Sequence, residues 1–350
     1  MEEVSKGMHS IIKMISNRKN NKFPILRLPY LAIQEIFKAM HPIEIINFSM
    51  ISKRTRTLAK FVSFYSKYSI RLSVENSMLK IRFFGTKNVV SCCFLMTRKI
   101  LLNGKIEEGE WGNIRTVFKF SKNAVDEWKQ FCKYALEIFK IQTIDDLTLY
   151  MDAFVDQNVS IIDFLITNVK SVEECYLYHL YKEKNVDWHT AYLLNNITVN
   201  AKLFSKVNIR NKNFNGKMSK NLKEIYIYNS RWIGYKMLLD IDCKNVILEK
   251  NRISDEQWNL FLKKWIAMET HLNLEYLELD YRDIEEFRAL VLHDIPHEVV
   301  DRGVKRVLKT YCDEKRTISG GIDIRQIDGK TATFFSVYSF QTLKFAMSIH

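Results

Sequence analysis

The sequence predicts a protein of mixed α and β structure, α+β or α/β, in which a small helical unit precedes a larger domain of short strands and helices. Three observations indicate this organisation. Three of the four prolines fall within residues 23–54, where they divide a strongly apolar stretch into short helices. After residue 68 apolar and polar residues alternate, which is typical of strands. From residue 141 onward a short apolar pattern recurs with helical segments between its copies, which indicates a repeated unit.

Composition and charge indicate a folded globular protein with a basic amino-terminal segment. At 350 residues the chain is long enough for a large core and more than one domain, and its apolar (47%) and charged (27%) fractions are those of a folded globular protein. The net charge of +13 is uneven, since residues 1–70 hold 12 Lys and Arg against 4 Asp and Glu. A basic segment of this kind is compatible with nucleic acid, an anionic membrane surface or an acidic protein partner.

The cysteines and the apolar runs predict an intracellular protein, cytoplasmic or nuclear. No apolar run reaches the ~18 residues that a membrane-spanning helix needs, and the first residues lack the apolar core of a secretory leader. The cysteines show neither a CxxC motif nor paired zinc-ligand spacing, so we expect buried, reduced thiols. They are Cys92, Cys93, Cys132, Cys175, Cys243 and Cys312.

The helical unit follows a basic arm, residues 1–22, which is either a short docking helix or a frayed terminus. In FPILRLPYLAIQEIFKAMHPIEIINFSMISKR, residues 23–54, Pro29 suits the first turn of a helix because it has no N–H to leave unpaired there. Pro42 ends that helix at the residue before it and opens a second one. Ser52 can cap a third. Helices so short bury too little surface to be stable alone, and Tyr30 and Leu31 make further faces apolar. We therefore expect an interface with a partner, or with the rest of this chain.

In the order and spacing of its residues, this stretch resembles an F-box. The matching elements are Leu28-Pro29, Ile36-Phe37, Pro42-Ile43-Glu44 and the ending Ser49-x-x-Ser52-Lys53-Arg54. More narrowly, the chain is similar to the nematode F-box B family, which joins an F-box to a carboxy-terminal F-box-associated domain of the second type. It departs from many F-boxes in lacking a Cys-x-x-Trp at the end of the motif. The resemblance implies a Skp-type adaptor as partner and, through it, a cullin–RING ubiquitin ligase of the SCF type.

On this resemblance we expect the apolar residues of the F-box to divide between its own core and the adaptor, although the sequence does not assign each one. The expected adaptor-binding residues are Leu28, Pro29, Ile33, Ile36, Phe37, Met40, Pro42, Ile43, Ile45, Ile46 and Phe48. The expected boundaries are 1–22 for the arm, 23–68 for the F-box, 69–140 for a strand-rich linker segment with a helix, and 141–350 for the F-box-associated domain.

The sequence predicts strands followed by one helix in the segment 69–140. Apolar residues alternate in SIRLSV and MLKIRFF, and VVSCCFLM and TVFKF extend the strands to about residue 120. Ser121 can cap a helix that runs to Lys140.

The repeated pattern of the last domain is apolar-x-x-apolar-x-apolar. Its copies are Ile144/Leu147/Leu149, Val172/Cys175/Leu177, Phe204/Val207/Ile209, Leu222/Ile225/Ile227, Cys243/Val246/Leu248 and Leu274/Leu277/Leu279. Their third positions lie 18 to 32 residues apart, which straddles the 20–29 of a leucine-rich repeat. This predicts a degenerate leucine-rich-repeat-like solenoid, with an ordinary α/β layer as the alternative.

Within this domain the resemblance to an F-box-associated domain is clearest over residues 219–283, and it implies the capture of a protein substrate. Ser254 and Gln257 have the spacing of a helix capping box. Asp328-Gly329 predicts a two-residue turn in a carboxy-terminal β-hairpin, and TLKFAMSI adds a final strand.

We find no motif that predicts catalysis or a cofactor. His293 and His297 have the spacing of a zincin pair, but Asp294 replaces the catalytic Glu and Pro296 would break the helix. The glycines of GGIDIRQIDG lie in the predicted hairpin and do not open a helix, so no phosphate site follows. We therefore expect a non-enzymatic substrate receptor. The alternatives are a repeat scaffold, or a nucleic-acid-binding protein that uses the basic stretch SKRTRTLAKFVSFYSKYSIR.

Overall fold

The computed structural model describes residues 25–62, 68–75, 78–85, 91–108, 114–181, 183–211, 213–311, 314–339 and 341–350. They form two compact units. The helical unit comprises the described residues of 1–67 together with 133–141, and the large unit comprises those of 68–132 and 142–350. The predicted arm 1–22, the first two residues of the predicted F-box and Cys312 lie outside the described residues.

Three α-helices of the helical unit begin where the sequence predicts them. They are α1 (Tyr30–Ala39), α2 (Pro42–Met50) and α3 (Lys53–Val62), and a 3-10 turn, Ile25–Arg27, precedes them. Pro29 is the N-cap of α1, and Pro42 is the first residue of α2. The N–H of His41 donates to Glu44 Oε2 at 2.9 Å, which closes a capping box. Ser52 caps α3, since its Oγ accepts the N–H of Thr55 at 3.1 Å. The predicted helix starts are therefore confirmed.

The large unit contains fifteen described strands. They are β1 (Tyr68–Glu75), β2 (Met78–Gly85), β3 (Ser91–Thr97), β4 (Ile106–Glu108), β5 (Ile114–Phe120), β6 (Thr143–Tyr150), β7 (Ser171–Tyr178), β8 (Val199–Ser205), β9 (Glu224–Ile227), β10 (Asn245–Leu248), β11 (Tyr276–Asp280), β12 (Glu298–Lys309), β13 (Lys315–Arg325), β14 (Thr331–Ser339) and β15 (Thr342–Ile349). The remaining helices are α4 (Ala124–Ile138), divided between the units at Lys133, and α5 (Asn158–Asn168), α6 (Asp187–Asn196), α7 (Tyr235–Leu239), α8 (Asp255–Ile266) and α9 (Ile284–Val291).

All fifteen strands join one mixed sheet, in the order β12-β13-β14-β15-β11-β10-β9-β8-β7-β6-β1-β2-β3-β5-β4. Its centre is a parallel ladder of seven strands, β1 followed by β6 to β11, and antiparallel pairs, β11 with β15 and β1 with β2, extend it on both sides. The strand-rich segment 69–140 therefore hydrogen-bonds into the same sheet as the later strands. The core-facing residues in register along the ladder are Leu147, Cys175, Leu203, Ile225, Val246 and Leu277.

One predicted triplet, the copy that begins at Phe204, is out of register. Leu203 is the residue that pairs with Cys175 on one side and with Ile225 on the other. Phe204 therefore points to the opposite face, because neighbouring strand residues alternate. Ser205 takes the next core-facing position, where it is buried. Because Ser205 is polar, the apolar pattern did not include this core position, and the predicted triplet was placed too late in the sequence.

Helix α8 begins with the predicted capping box and packs against the core of the large unit. Its Ser254 Oγ accepts the N–H of Gln257 at 3.3 Å, and the Gln257 side chain accepts the N–H of Ser254 at 3.1 Å, so the capping box is confirmed. The large apolar residues Trp258, Phe261, Leu262 and Trp265 of α8 are all buried. On α9, Phe287 lies 4.6 Å from the Phe345 ring of β15, between ring centroids. This aromatic contact places α9 against β15.

The predicted carboxy-terminal hairpin joins β13 to β14, but its loop is longer than expected. Gln326 and Lys330 close the hairpin, since the Gln326 N–H donates to the Lys330 carbonyl at 2.9 Å. The loop thus has three residues instead of two, and Gly329 takes its left-handed position with φ 94°. The Asp-Gly dipeptide therefore predicted the position of the turn correctly, but the predicted loop length was wrong.

Candidate functional site

The helical unit has a filled core of its own. Its buried apolar side chains include Ile33 and Phe37 on α1, Ile43, Ile45 and Ile46 on α2, and Ala59 and Val62 on α3. The Phe37 and Phe48 rings meet edge to face with centroids 5.5 Å apart. Such a core fixes the three helices, and it leaves the outward-facing residues free to serve another purpose.

The structure divides the eleven expected adaptor-binding residues by exposure. Buried in the chain are Ile33, Phe37, Pro42, Ile43, Ile45 and Ile46. Half-buried are Leu28, Ile36, Met40 and Phe48, while Pro29 is exposed. The buried six are therefore core residues in this structure, and only the other five are accessible to a partner.

Five further apolar residues of this unit are exposed, and none of them is among the eleven residues that the sequence predicts to bind the adaptor. They are Tyr30 (43% exposed), Leu31 (72%), Met50 (41%), Ile51 (72%) and Phe61 (70%). The Tyr30 and Phe61 rings lie 5.5 Å apart between centroids, so α1 and α3 share this surface. The sequence showed Tyr30 and Leu31 only as apolar residues on further faces of the helix, and apolar character alone does not separate core from exposed surface.

Part of the basic charge of α3 is used within the helical unit. The Arg56 guanidinium donates to the Tyr134 hydroxyl at 3.0 Å and lies 4.4 Å from the centroid of its ring. Lys60 Nζ lies 3.0 Å from Glu137 Oε2. Two cations of the basic stretch therefore hold α3 against residues 133–141, which weakens the case for a nucleic-acid surface here.

The cysteines and the pair His293 and His297 are the candidate residues for a catalytic or metal site. The five cysteines among the described residues are buried as thiols and not joined in disulfides, and burial raises the pKa of Cys175 and of Cys243 to about 12. A thiol of that pKa is a poor nucleophile at neutral pH. His293 and His297 both follow the end of α9, so no helix aligns their rings. Within the described ranges no group of three or more His, Cys, Asp or Glu could hold a metal ion.

Comparison with known families identifies two segments. A family model described as the F-box domain matches residues 25–67, and one described as F-box associated matches residues 213–279. The second match covers β9 to β11 with the helices between them, and it overlaps the expected segment 219–283. No curated protein and no solved structure shows significant similarity to the chain. Among the described residues, no helix is both long and apolar enough to cross a membrane.

Proposed function

Because the chain joins an F-box to an F-box-associated segment, we propose that it is a substrate-receptor subunit of an SCF-type ubiquitin ligase. The F-box binds a Skp-type adaptor, and the adaptor binds a cullin that carries the RING protein and the charged conjugating enzyme. The large unit holds a protein substrate. The chain then acts by position, since it raises the effective concentration of substrate lysines near the thioester without a catalytic group of its own.

The observation that carries this proposal is the exposed apolar surface of the helical unit. Leu31, Ile51 and Phe61 are each at least 70% exposed, although the core beneath them is already filled. Burying one such side chain in an interface contributes roughly 1.5–3 kcal/mol. Several of them together favour association with a partner.

We assign the adaptor-facing surface to the accessible residues of the F-box. The surface combines the five expected residues that remain accessible with the five exposed ones found in the structure. Its members are Leu28, Pro29, Tyr30, Leu31, Ile36, Met40, Phe48, Met50, Ile51 and Phe61. The buried residues act indirectly, because they hold the three helices in the geometry that presents this surface.

For the large unit we propose a degenerate leucine-rich-repeat-like array. The strands from β6 to β11 are parallel and in register, with helices between most successive strands, and they support this arrangement. The connection from β8 to β9 departs from it, since its described residues contain no helix. The antiparallel strands at both ends cover the edges of the ladder, as terminal repeats do in solenoids. An ordinary α/β layer is the alternative architecture.

Co-expression of the full chain with a Skp-type adaptor tests the proposed function. We expect the two proteins to elute from a sizing column as one complex with a mass equal to one copy of each. The proposal fails if the chain elutes as a well-behaved monomer while the adaptor elutes alone.

A further inference from the structure

The face of the parallel ladder opposite the core carries a row of stacked aromatic rings. Tyr150 pairs in register with Tyr178, and Phe204 pairs with Tyr226. The ring centroids lie 4.9 Å apart in the first pair and 4.7 Å apart in the second, and both pairs are stacked. Phe204 also lies 5.7 Å from Tyr178, which joins the two pairs into one row across β6 to β9.

This row remains open to solvent over part of its area. Tyr150, Tyr176, Tyr178 and Phe204 are only half-buried, whereas Tyr226, at the β9 end of the row, is buried. Ring faces in an open sheet offer apolar area at a low cost in side-chain entropy, because aromatic side chains have few rotatable bonds. The row is therefore suited to contact a flat or extended ligand.

Two lysines border the row at the carboxyl ends of the strands. Lys206 Nζ lies 5.3 Å from the ring centroid of Phe204 and 5.9 Å from that of Tyr228. Lys250 Nζ lies 4.0 Å from the Tyr228 ring centroid, so both lysines approach the same ring. Both lysines are exposed, and among the described residues neither forms an ion pair with a carboxylate. Each ammonium group is thus available to an anionic ligand.

The opposite border of the row is mainly acidic. Across β6 to β9, Asp146 pairs with Glu174, Glu174 with Lys202, and Lys202 with Glu224, so three of these four neighbours are acidic. Tyr228 lies four positions after Glu224, which corresponds to about 13 Å along a strand. A continuous phosphodiester backbone that crossed the face would meet these carboxylates. An extended peptide with an acidic group at one end only would not.

We propose that this face, which we call the aromatic face, binds an acidic, aromatic-containing peptide segment of the substrate protein. An acidic side chain of the peptide lies between Lys206 and Lys250, and apolar or aromatic side chains lie on the rings. The aromatic face consists of Tyr150, Tyr176, Tyr178, Phe204, Lys206, Tyr228 and Lys250. This inference rests on the proposed function, because it assigns the face to the substrate.

A library of random twelve-residue peptides displayed on phage, panned against the purified full chain, tests the inference. We expect enrichment of Asp or Glu together with Phe, Tyr, Trp or Leu. The double variant Lys206→Glu/Lys250→Glu should exchange the acidic preference for Lys and Arg. The matched variant Lys220→Glu/Lys236→Glu changes the same charge at two other exposed lysines and should keep the acidic preference. Equal acidic enrichment in both variants, or none in the wild type, would overturn the inference.

A glycine variant separates loss of binding from loss of folding. Lys250 has φ 57°, in the left-handed region that glycine adopts without strain. Lys250→Gly should therefore unfold at the same or a higher denaturant concentration than the wild type. Its affinity for an enriched peptide should nevertheless fall about tenfold, since a charge-assisted contact is lost. Unchanged affinity would contradict the role of Lys250.

Two parallel measurements distinguish this inference from the proposed function and from a nucleic-acid role. A sample that binds the adaptor but enriches no acidic peptide refutes the aromatic face alone. A sample that enriches acidic peptides but ignores the adaptor supports the face and refutes the ligase assignment. Binding of a fluorescent poly-dT oligonucleotide that is lost in Lys206→Glu/Lys250→Glu, without acidic peptide enrichment, would assign the face to nucleic acid and overturn the inference.

Discussion

Lys344 Nζ lies 3.1 Å from Glu249 Oε2, and each side chain is only 7% exposed. The pair links β15 to the residue that follows β10, although β11 lies between those strands in the sheet. The Tyr226 hydroxyl donates to the other carboxylate oxygen, Oε1, at 2.6 Å. The antiparallel carboxy-terminal strands are thereby joined to the parallel ladder by a buried, hydrogen-bonded ion pair.

Removal of one partner of this pair should destabilise the large unit. Lys344→Ala leaves the Glu249 carboxylate buried without a cation, which costs about 3–5 kcal/mol of unfolding free energy. Urea unfolding of the wild type and the variant measures the difference. Lys105→Ala, which removes a half-exposed ion pair with Glu107, should change the unfolding curve little. A similar small change for Lys344→Ala would contradict the prediction.

His271 should make stability depend on pH. The ring is buried, Thr270 Oγ1 lies 2.8 Å from its Nδ1, and burial lowers its pKa from 6.5 to about 4. The unfolded chain therefore takes up a proton near pH 6.5, whereas the folded chain resists it until about pH 4. Stability from the neutral ring is present above pH 6.5 and is lost as the pH falls toward 4.

The substitution His271→Asn isolates this effect, because asparagine tolerates the φ of 53° at that position. Between pH 7 and pH 4.5 the wild type should lose about 2–3 kcal/mol more unfolding free energy than the variant, at ~1.4 kcal/mol per unit of pKa difference. Urea unfolding at several pH values provides the comparison. Parallel stability curves for the two proteins would show that His271 does not titrate differently in the fold.

The capping box of α8 should contribute measurably to the stability of the large unit. Ser254→Ala removes the acceptor for the Gln257 N–H and should lower the unfolding free energy by about 1 kcal/mol. Ser254→Asp supplies another acceptor at the N-cap and should restore most of that loss. Thermal unfolding of the three proteins tests this. An aspartate variant as unstable as the alanine variant would contradict the assignment.

The entrance to α1 should be required for adaptor binding under the proposed function. Pro29 is exposed and Leu28 is half-buried at this point. The double substitution Leu28→Ala/Pro29→Ala should abolish co-purification with a Skp-type adaptor, while circular dichroism shows the large unit still folded. Ile327→Ala, at another exposed apolar residue, should co-purify normally. Retained binding by the double variant would exclude Leu28 and Pro29 from the docking surface.

The helix starts of the F-box could be predicted because prolines and a serine cap act locally. Pro42 determines where α2 begins whatever the helix packs against. Which apolar residues are core could not be predicted, because a helix that is apolar on most sides gives no phase. Leu31 and Ile33 are equally apolar in sequence, yet only the three-dimensional packing buries Ile33 and exposes Leu31.

In the large unit, the repeated apolar pattern predicted most strands of the parallel ladder, but not the strands that pair with its edges. Five of the six triplets fall in register. The sixth was missed because the polar Ser205 occupies one of its core positions. The pairing of β15 with β11 could not be predicted, since it joins strands far apart in sequence. β12 carries no alternating pattern, because most of its residues are exposed. The aromatic face was missed for a related reason: Phe204 was assigned to the core.

Calorimetric titration of a Skp-type adaptor into the full chain tests the central claim most directly. The account predicts one-to-one binding by the wild type and a loss of at least ~100-fold in affinity for Leu31→Asp/Ile51→Asp, since two exposed apolar contacts are replaced by charges. Leu101→Asp, at a still more exposed leucine of the large unit, should bind like the wild type. No binding by the wild type, or equal binding by Leu31→Asp/Ile51→Asp, would contradict the account.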